Sequence, residues 1–91
     1  MAEAKVQIVN KAGMHARPSA LFVQTASKFK SAIKIVKGDK EVDARSIMGL
    51  MTLAAKEGSN LIIKAEGEDA NEALEELKKL VKVGFNEAYE A

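Results

Sequence analysis

The strongest periodic signal in the chain lies near its C-terminal end, in residues 69–82. Apolar side chains recur there at three- and four-residue spacings, which predicts a helix with one apolar and one charged face. Asp69 is the predicted N-cap, with Glu72 three residues later as in a capping box, and Gly84 is the predicted stop. The apolar stripe comprises Ala70, Ala73, Leu74, Leu77, Leu80 and Val81. Such a helix needs a second layer to cover its apolar face.

The covering layer is predicted to be an antiparallel sheet. Short stretches with period-two alternation are typical of half-buried strands, and Gly38 and Asp39 fit a two-residue hairpin turn. With two further helices, the order becomes β-α-β-β-α-β-α, which predicts an α+β fold with its helices on one face of the sheet. The predicted strands are 4–9, 31–37, 40–44 and 60–66, and the other helices are 16–28 and 47–53.

Two segments carry further expectations about burial. The helix at 16–28 is predicted to bury a stripe at three- and four-residue spacings, widened by Leu21 and Phe22. The members of this stripe are Ala16, Ala20, Val23, Ala26 and Phe29. Residues 85–91 are predicted to form a polar tail with an exposed Tyr89.

The composition indicates a single soluble domain, 1–91, and excludes several functional classes. The chain has 91 residues, a net charge of +1, one histidine and no cysteine. A disulfide scaffold and a Cys-ligated or His-rich metal site are therefore excluded, and we predict no cofactor and no metal. No apolar run is long enough to span a bilayer and no signal pattern is present, so we expect a cytoplasmic protein without membrane insertion, by default a monomer.

The stretch 13–20 holds the only histidine and the only proline of the chain. Because proline is tolerated in the first turn of a helix, His15 is predicted at the N-cap, followed by Ala16, Arg17 and Pro18. The first N–H groups and the dipole of a helix bind anions, and a guanidinium suits phosphate oxygens. This arrangement favours a histidine that accepts a phosphoryl group, with Ala16 and Arg17 as phosphate ligands. A histidine that only caps the helix is the alternative.

A second short helix is expected after Ser46, which is a good N-cap residue. Residues 47–53 are apolar nearly all round, yet a helix in a two-layer domain has only one covered face. We predict Leu50 and Leu53 inward, with a partly exposed docking patch beside the histidine. The patch comprises Ile47, Met48 and Met51. Methionine suits such a surface because its flexible thioether adapts to several partners. Burial of all three patch residues in the core is the alternative.

Two motifs carry a resemblance to a known family. The segment 13–18 (Gly-Met-His-Ala-Arg-Pro) resembles the active-site motif of HPr, the histidine-containing phosphocarrier of the bacterial sugar phosphotransferase system. The segment 46–51 (Ser-Ile-Met-Gly-Leu-Met) resembles the regulatory-serine motif of that family in its Gram-positive form. The order of elements agrees, so the resemblance covers about residues 1–84. Two separated motifs are more specific than either alone.

The resemblance implies an open-faced β-sandwich, a four-stranded antiparallel sheet with three helices on one side. It also implies a stoichiometric carrier and not an enzyme, which takes a phosphoryl group from phospho-Enzyme I and passes it to EIIA components of sugar permeases. His15 would be phosphorylated on Nδ1, Arg17 would be the mobile phosphate partner, and Ala20 would join the patch in binding partners. Ser19 would be one of several variable surface residues of the first helix.

The resemblance further implies regulation at Ser46. An HPr kinase/phosphorylase would phosphorylate this serine with ATP, and the phosphorylated form would serve as corepressor for a catabolite-control transcription factor.

Three other functions compete with the phosphocarrier. A purely regulatory HPr-like protein would act through Ser46 alone, but such paralogues lack the active-site histidine that is present here as His15. An enzyme using His15 as general base needs partner acids, and no Asp or Glu lies near it in sequence. A nucleic-acid-binding module needs stacking aromatics and a basic surface, whereas aromatic residues are 4% and the net charge is +1.

Overall fold

The computed structural model describes residues 2–11 and 13–85, which form one antiparallel sheet and three helices. The strands are β1 (Ala2–Gln7), β2 (Ala32–Lys37), β3 (Lys40–Asp43) and β4 (Asn60–Glu66). The helices are α1 (Ala16–Ala26), α2 (Ile47–Thr52) and α3 (Ala70–Lys82). The strands lie in the order β1-β4-β2-β3. The predicted element order and the open-faced α+β sandwich are confirmed.

The strand sequences alternate between a covered and an open face of the sheet, because successive strand residues point to opposite sides. In β2, Ile33 and Ile35 are buried while Lys34 between them is exposed. In β4, Leu61 and Ile63 are buried in the same way. Ile35 lies opposite Ile63 in the antiparallel register, so the buried side chains of neighbouring strands meet on the covered face. The first strand begins two residues earlier than predicted and ends two residues earlier.

Helix α1 buries part of the stripe that its sequence predicted, namely Phe22 and Ala26, together with two residues outside that stripe. Ala16 is exposed and Ala20 and Val23 are only half-buried. The buried residues are Pro18, Ser19, Phe22 and Ala26. Phe22 is the largest side chain of this set, and positions 18, 22 and 26 lie four residues apart on one face of the helix. This aromatic ring packs in the buried core cluster. The expectation that Ser19 lies on the surface is also wrong.

The other two helices bury the faces that were predicted for them. Leu50 and Leu53 are fully buried on and just after α2. On α3 the predicted stripe is buried, except that Leu80 is half-buried. The helices have 11, 6 and 13 residues. In the described ranges, no helix combines the length and apolar character needed to cross a membrane.

The segment that follows α3 joins the core. Gly84 adopts the left-handed conformation (φ 64°) that commonly ends a helix, which confirms the predicted stop. Phe85 was predicted to begin the polar tail, but it is 1% exposed and packs with the buried cluster. The left-handed turn at Gly84 redirects the chain, so that the aromatic ring of Phe85 escapes water. The prediction for Tyr89 lies outside the described residues.

Asp69 precedes α3 as predicted, but the capping box is wrong. Its side chain makes no capping hydrogen bond within the described residues. Its carboxylate accepts hydrogen bonds from the Lys30 N–H (2.8 Å), the Ser31 N–H (2.9 Å) and the Ser31 hydroxyl. The loop between α1 and β2 thus offers three donors to one carboxylate. These bonds, led by the Ser31 hydroxyl, lower the pKa of Asp69 from its ordinary value.

Candidate functional site

His15 occupies the N-cap of α1, as the sequence predicted. The backbone of His15 is extended (φ −87°, ψ −165°), and the residue as a whole is half-buried. The first backbone hydrogen bond of the helix joins the Ser19 N–H to the His15 carbonyl over 3.0 Å. In the described part of the chain, the imidazole makes no hydrogen bond that caps the helix. A Ser or Asp N-cap would use its side chain in that way. The His15 ring therefore has no capping role.

The backbone that leads to His15 is held by several hydrogen bonds, one of which joins the Gly13 N–H to the Asn10 carbonyl over 3.1 Å. The Asn10 Nδ2 amide donates to the Gly13 carbonyl over 2.8 Å. The Met14 N–H donates to the Ala55 carbonyl over 2.8 Å, and the Ser19 hydroxyl donates to the Met14 carbonyl over 3.4 Å. Met14 itself is buried. The approach to the N-cap is consequently tied to α1 on one side and to the segment after α2 on the other.

Gly13 lies directly against the segment that follows α2. Its φ is 68°, a conformation that L residues rarely adopt. A Cβ at this position would lie 2.3 Å from the Ala55 carbonyl oxygen and 2.9 Å from the Lys56 Cα. Both neighbours are backbone atoms, which cannot rotate away as a side chain does. Only glycine fits, and its small size brings the segment 54–56 against the turn that precedes the histidine.

The N-terminal end of α1 has the features from which an anion site was predicted. Ala16 and Arg17 are exposed, and the first turn contains no acidic residue. The N–H groups of these two residues come before the first backbone hydrogen bond of the helix. The helix dipole and the guanidinium add positive potential at the same end. Within residues 2–11 and 13–85, no group of three His, Cys, Asp or Glu residues is placed to hold a metal ion.

Helix α2 presents the exposed patch that the sequence predicted. Ile47 and Met51 are each 41% exposed and Met48 is 73% exposed. Ser46 is the N-cap, and its Oγ accepts a hydrogen bond from the Gly49 N–H over 3.0 Å. The helix packs against α1. The segment after α2 carries the Ala55 carbonyl that bonds Met14, so the end of α2 adjoins the approach to the histidine.

Several residues that build the site carried only weak signals in the sequence. Asn10 and Gly13 are spaced as in a turn, where Asn and Gly are favoured. This spacing was the one feature of the sequence that indicated the hydrogen-bonded turn before His15. Ser19 is a polar residue that is fully buried, and nothing in its local pattern distinguishes it from a solvated helix position. Ala55 acts through its backbone carbonyl, and the identity of its side chain carries no information on this.

The fold and the site define a small α+β domain that displays a histidine at a helix N-terminus beside an apolar patch. Residues 2–83 match the family model described as "PTS HPr component phosphorylation site". The chain belongs to this family, the HPr phosphocarriers of the phosphotransferase system. Proteins of this family carry phosphoryl groups and are not catalytic enzymes. Membership implies partners of that system, such as Enzyme I and EIIA components.

Individual relatives agree with the family assignment. The chain is 48% identical to the HPr-like protein Crh of Bacillus subtilis over 82 residues, covering 90% of this chain and 96% of that protein. It is 44% identical to the phosphocarrier protein HPr of Neisseria meningitidis over 87 residues, covering 96% and 98%. The crystal structure of HPr-C-His from Thermoanaerobacter tengcongensis superposes with a TM-score of 0.91 at 49% identity, covering 94% and 97%.

Proposed function

We propose that this chain accepts a phosphoryl group on Nδ1 of His15 from phospho-Enzyme I and passes it to EIIA components of sugar permeases. The observation that carries this proposal is the position of His15. Its imidazole stands at the start of an 11-residue helix and does not cap that helix within the described residues. A neutral imidazole has a ring nitrogen with a lone pair that can act as a nucleophile. In the transfer, the bond from phosphorus to the donor breaks as the bond to Nδ1 forms.

The N-terminal end of α1 supplies the charge complement for the phosphohistidine. The N–H groups of Ala16 and Arg17 lie at the positive end of the helix dipole, where they would donate to phosphate oxygens. Pro18 has no N–H, so the helix donors come from the two residues before it. Arg17 is exposed, and its guanidinium provides a second set of donors in fork geometry.

Reversible transfer requires that the phosphoryl group is held but not trapped. Backbone donors cost no reorganisation when charge arrives, because the helix already fixes them. The hydrogen bonds that hold the approach to His15 extend this fixed geometry to the segment before the N-cap. The Arg17 guanidinium, in contrast, is carried by a flexible side chain, so it can move away from the phosphoryl group at a small cost in free energy. Such a combination favours a carrier.

The apolar patch on α2 is the proposed docking surface for Enzyme I and EIIA. Ile47, Met48 and Met51 form an exposed apolar surface on the helix that packs against α1. Contiguous exposed apolar surface on a soluble domain marks interaction sites, and methionine adapts to more than one partner. Ala20, which is half-buried on α1, would extend this surface beside the histidine.

Phosphorylation of Ser46 is the proposed regulatory step. Its Oγ caps α2, so a phosphate there would place about two negative charges at a helix N-terminus, which tolerates them. The fold would persist while the electrostatics of the adjacent patch change. An HPr kinase/phosphorylase using ATP would install the group, and a catabolite-control transcription factor would bind the product. Exchange with these partners would take place in the cytoplasm, and the chain would act as a monomer.

The test is incubation with phosphoenolpyruvate and Enzyme I, followed by intact mass under neutral and acidic conditions. One phosphoryl group that is lost in acid is expected, because phosphoramidate bonds to histidine are acid-labile. A chain that gains no mass, or gains acid-stable mass, contradicts the proposal. Omission of Enzyme I is the control. Size-exclusion chromatography of the same sample tests the monomer.

The similarity to the HPr-like protein Crh supports a second candidate, a regulator that acts through Ser46 alone. The two functions differ in their use of one residue, because a purely regulatory protein has no need of the histidine that this chain has at position 15. Incubation with an HPr kinase and ATP separates them. Phosphate that is added only at Ser46, with no transfer from Enzyme I, favours the regulator.

A further inference from the structure

The C-terminal end of α2 is held by a residue from the sheet. Lys37, the last residue of β2, donates from Nζ to the Leu53 carbonyl over 3.1 Å and to the Ala54 carbonyl over 3.2 Å. The last carbonyls of a helix have no partners one turn further on, and the negative end of the dipole favours a cation. The Lys37 ammonium meets both requirements at once.

These two carbonyls flank a residue in an unfavourable conformation. Ala54 has φ 51°, in the left-handed region that favours glycine. A residue stays in such a conformation only where the surrounding structure holds it there. The ammonium donates to the Leu53 carbonyl and to the carbonyl of Ala54 itself, so it restrains the peptide planes on both sides of the strained residue.

The strained residue is next to the one that touches the site. The Ala55 carbonyl accepts the hydrogen bond from the Met14 N–H, and it lies against Gly13, where no Cβ would fit. A rotation of the Ala54 peptide planes would therefore move the acceptor that holds the residue before His15. Because the Ala55 carbonyl and Gly13 meet through backbone atoms, no side chain can move to take up this shift.

We propose that Lys37 is a positioning residue for phosphoryl transfer, which places His15 by holding the segment 53–55 in its left-handed turn. This inference rests on the proposed function of His15. It assigns a role to a residue of the β2–β3 hairpin that neither the phosphate-binding end of α1 nor the patch on α2 includes. Lys37 acts through Ala55 and Met14 and does not contact the phosphoryl group.

The test compares Lys37→Met with Lys37→Arg and with a matched control, Lys34→Met. Methionine keeps most of the length of the side chain but removes the donors, whereas arginine keeps donors and charge. Lys34 is exposed on the same strand, so its replacement removes the same charge without touching α2. In Lys37→Met we expect kcat for phosphorylation by Enzyme I to fall by about tenfold with KM little changed, because the reacting atoms are displaced while the patch is intact.

The Arg variant should regain most of this rate, and Lys34→Met should keep all of it. A second readout does not depend on transfer. Hydrogen exchange at the Met14 amide should accelerate by about tenfold in Lys37→Met relative to the core strands, because its acceptor is released. Adding Ala54→Gly should restore the thermal midpoint of Lys37→Met, since glycine adopts the left-handed turn without strain.

The outcomes separate this inference from the proposed function. If the unchanged chain accepts no phosphoryl group, the proposed function fails, and the Met14 exchange rate alone decides whether Lys37 positions the segment. If the unchanged chain is phosphorylated but Lys37→Met matches it in kcat and in Met14 exchange, the inference is overturned. Equal losses in Lys37→Met and Lys34→Met also overturn it, because they indicate a general effect of charge. If Lys37→Met does not fold, the double variant with Ala54→Gly decides: a folded double variant supports the inference, because the strain at Ala54 is then what Lys37 holds, and an unfolded one overturns it.

Discussion

The two ends of α1 are built in opposite ways. At the C-terminal end, Arg45 Nη2 donates to the carbonyls of Ala26 (3.3 Å), Phe29 (2.6 Å) and Ser31 (3.1 Å). Asp69 accepts the N–H groups of the same loop. At the N-terminal end, the imidazole of the N-cap makes no capping bond within the described residues, and the first turn has no acidic residue.

This difference fits the function proposed for His15, in which the N-terminal end of α1 binds a phosphoryl group. An N-cap side chain normally stabilises a helix by satisfying its first N–H groups. Here the same helix is held at its other end by Arg45 and along its buried face by Phe22. Changes at the N-terminal end should therefore alter phosphoryl transfer with little effect on stability, and changes at the C-terminal end should do the reverse.

The largest expected effect follows from His15→Ala. We expect complete loss of phosphorylation by Enzyme I, because the imidazole is the proposed acceptor, and a cost in stability of at most about 1 kcal/mol, because the ring is not a cap. Intact mass and thermal unfolding measure the two quantities. A variant that is still phosphorylated by Enzyme I, or that unfolds, breaks the comparison between the two ends.

Arg17→Glu should slow transfer by about 10²–10³-fold, since it replaces donors to the phosphate with a like charge. Stopped-flow or quench-flow transfer from phospho-Enzyme I measures the rate. Arg17→Gln is the matched control, which removes the charge without reversing it and should give an intermediate rate. A lowered thermal midpoint with an unchanged transfer rate would make Arg17 a structural residue.

Ser46→Asp should lower kcat/KM for phosphorylation by Enzyme I by about tenfold while the chain stays folded. Aspartate keeps the capping acceptor and adds a negative charge beside the docking patch. Ser46→Asn separates these effects, since it retains the cap without the charge and should react at the original rate. Equal kinetics for the Asp variant and the unchanged chain would show that a negative charge at position 46 does not regulate phosphorylation by Enzyme I.

Arg45→Met should affect the other end of α1. Loss of three charged hydrogen bonds to carbonyls should lower the free energy of unfolding by about 1–2 kcal/mol, discounted for the exposure of this side chain. The rate of phosphoryl transfer should be unchanged. Lys40→Met, which removes an exposed charge from β3, is the control for net charge. A slower transfer in Arg45→Met at full stability would show that the two ends are coupled.

The smallest effect is expected from the titration of Asp69. Its pKa is lowered in the folded chain, so its hydrogen bonds stabilise the fold above the ordinary carboxyl pKa, and this contribution is lost as the pH falls through the folded pKa. Denaturant unfolding should show a decline from about pH 4 downward that is shallower in Asp69→Asn than in the unchanged chain. Identical pH profiles in the two proteins would contradict a stabilising role for the hydrogen bonds from Lys30 and Ser31 to Asp69.

Local pattern was sufficient for much of the fold and for part of the site. Alternation along β2 and β4 and the stripe on α3 are properties of neighbouring residues, and the structure has the elements in the predicted order. The N-cap positions of His15 and Ser46 followed from residue types next to a helical period. The exposure of Met48 followed from a geometric limit, because a short helix in a two-layer domain cannot be covered all round.

What the tertiary structure decided are the contacts between residues far apart in the chain. Asp69 was assigned to its own helix by its local pattern, yet it bonds Lys30 and Ser31, 39 and 38 residues away. Lys37 reads as an exposed strand residue, yet its ammonium meets the end of α2. A local pattern reports which side of an element is apolar, because that depends on periodicity alone. Which donor meets which acceptor depends on how the elements pack, and for these polar groups only the assembled fold brings the partners within 3 Å or so.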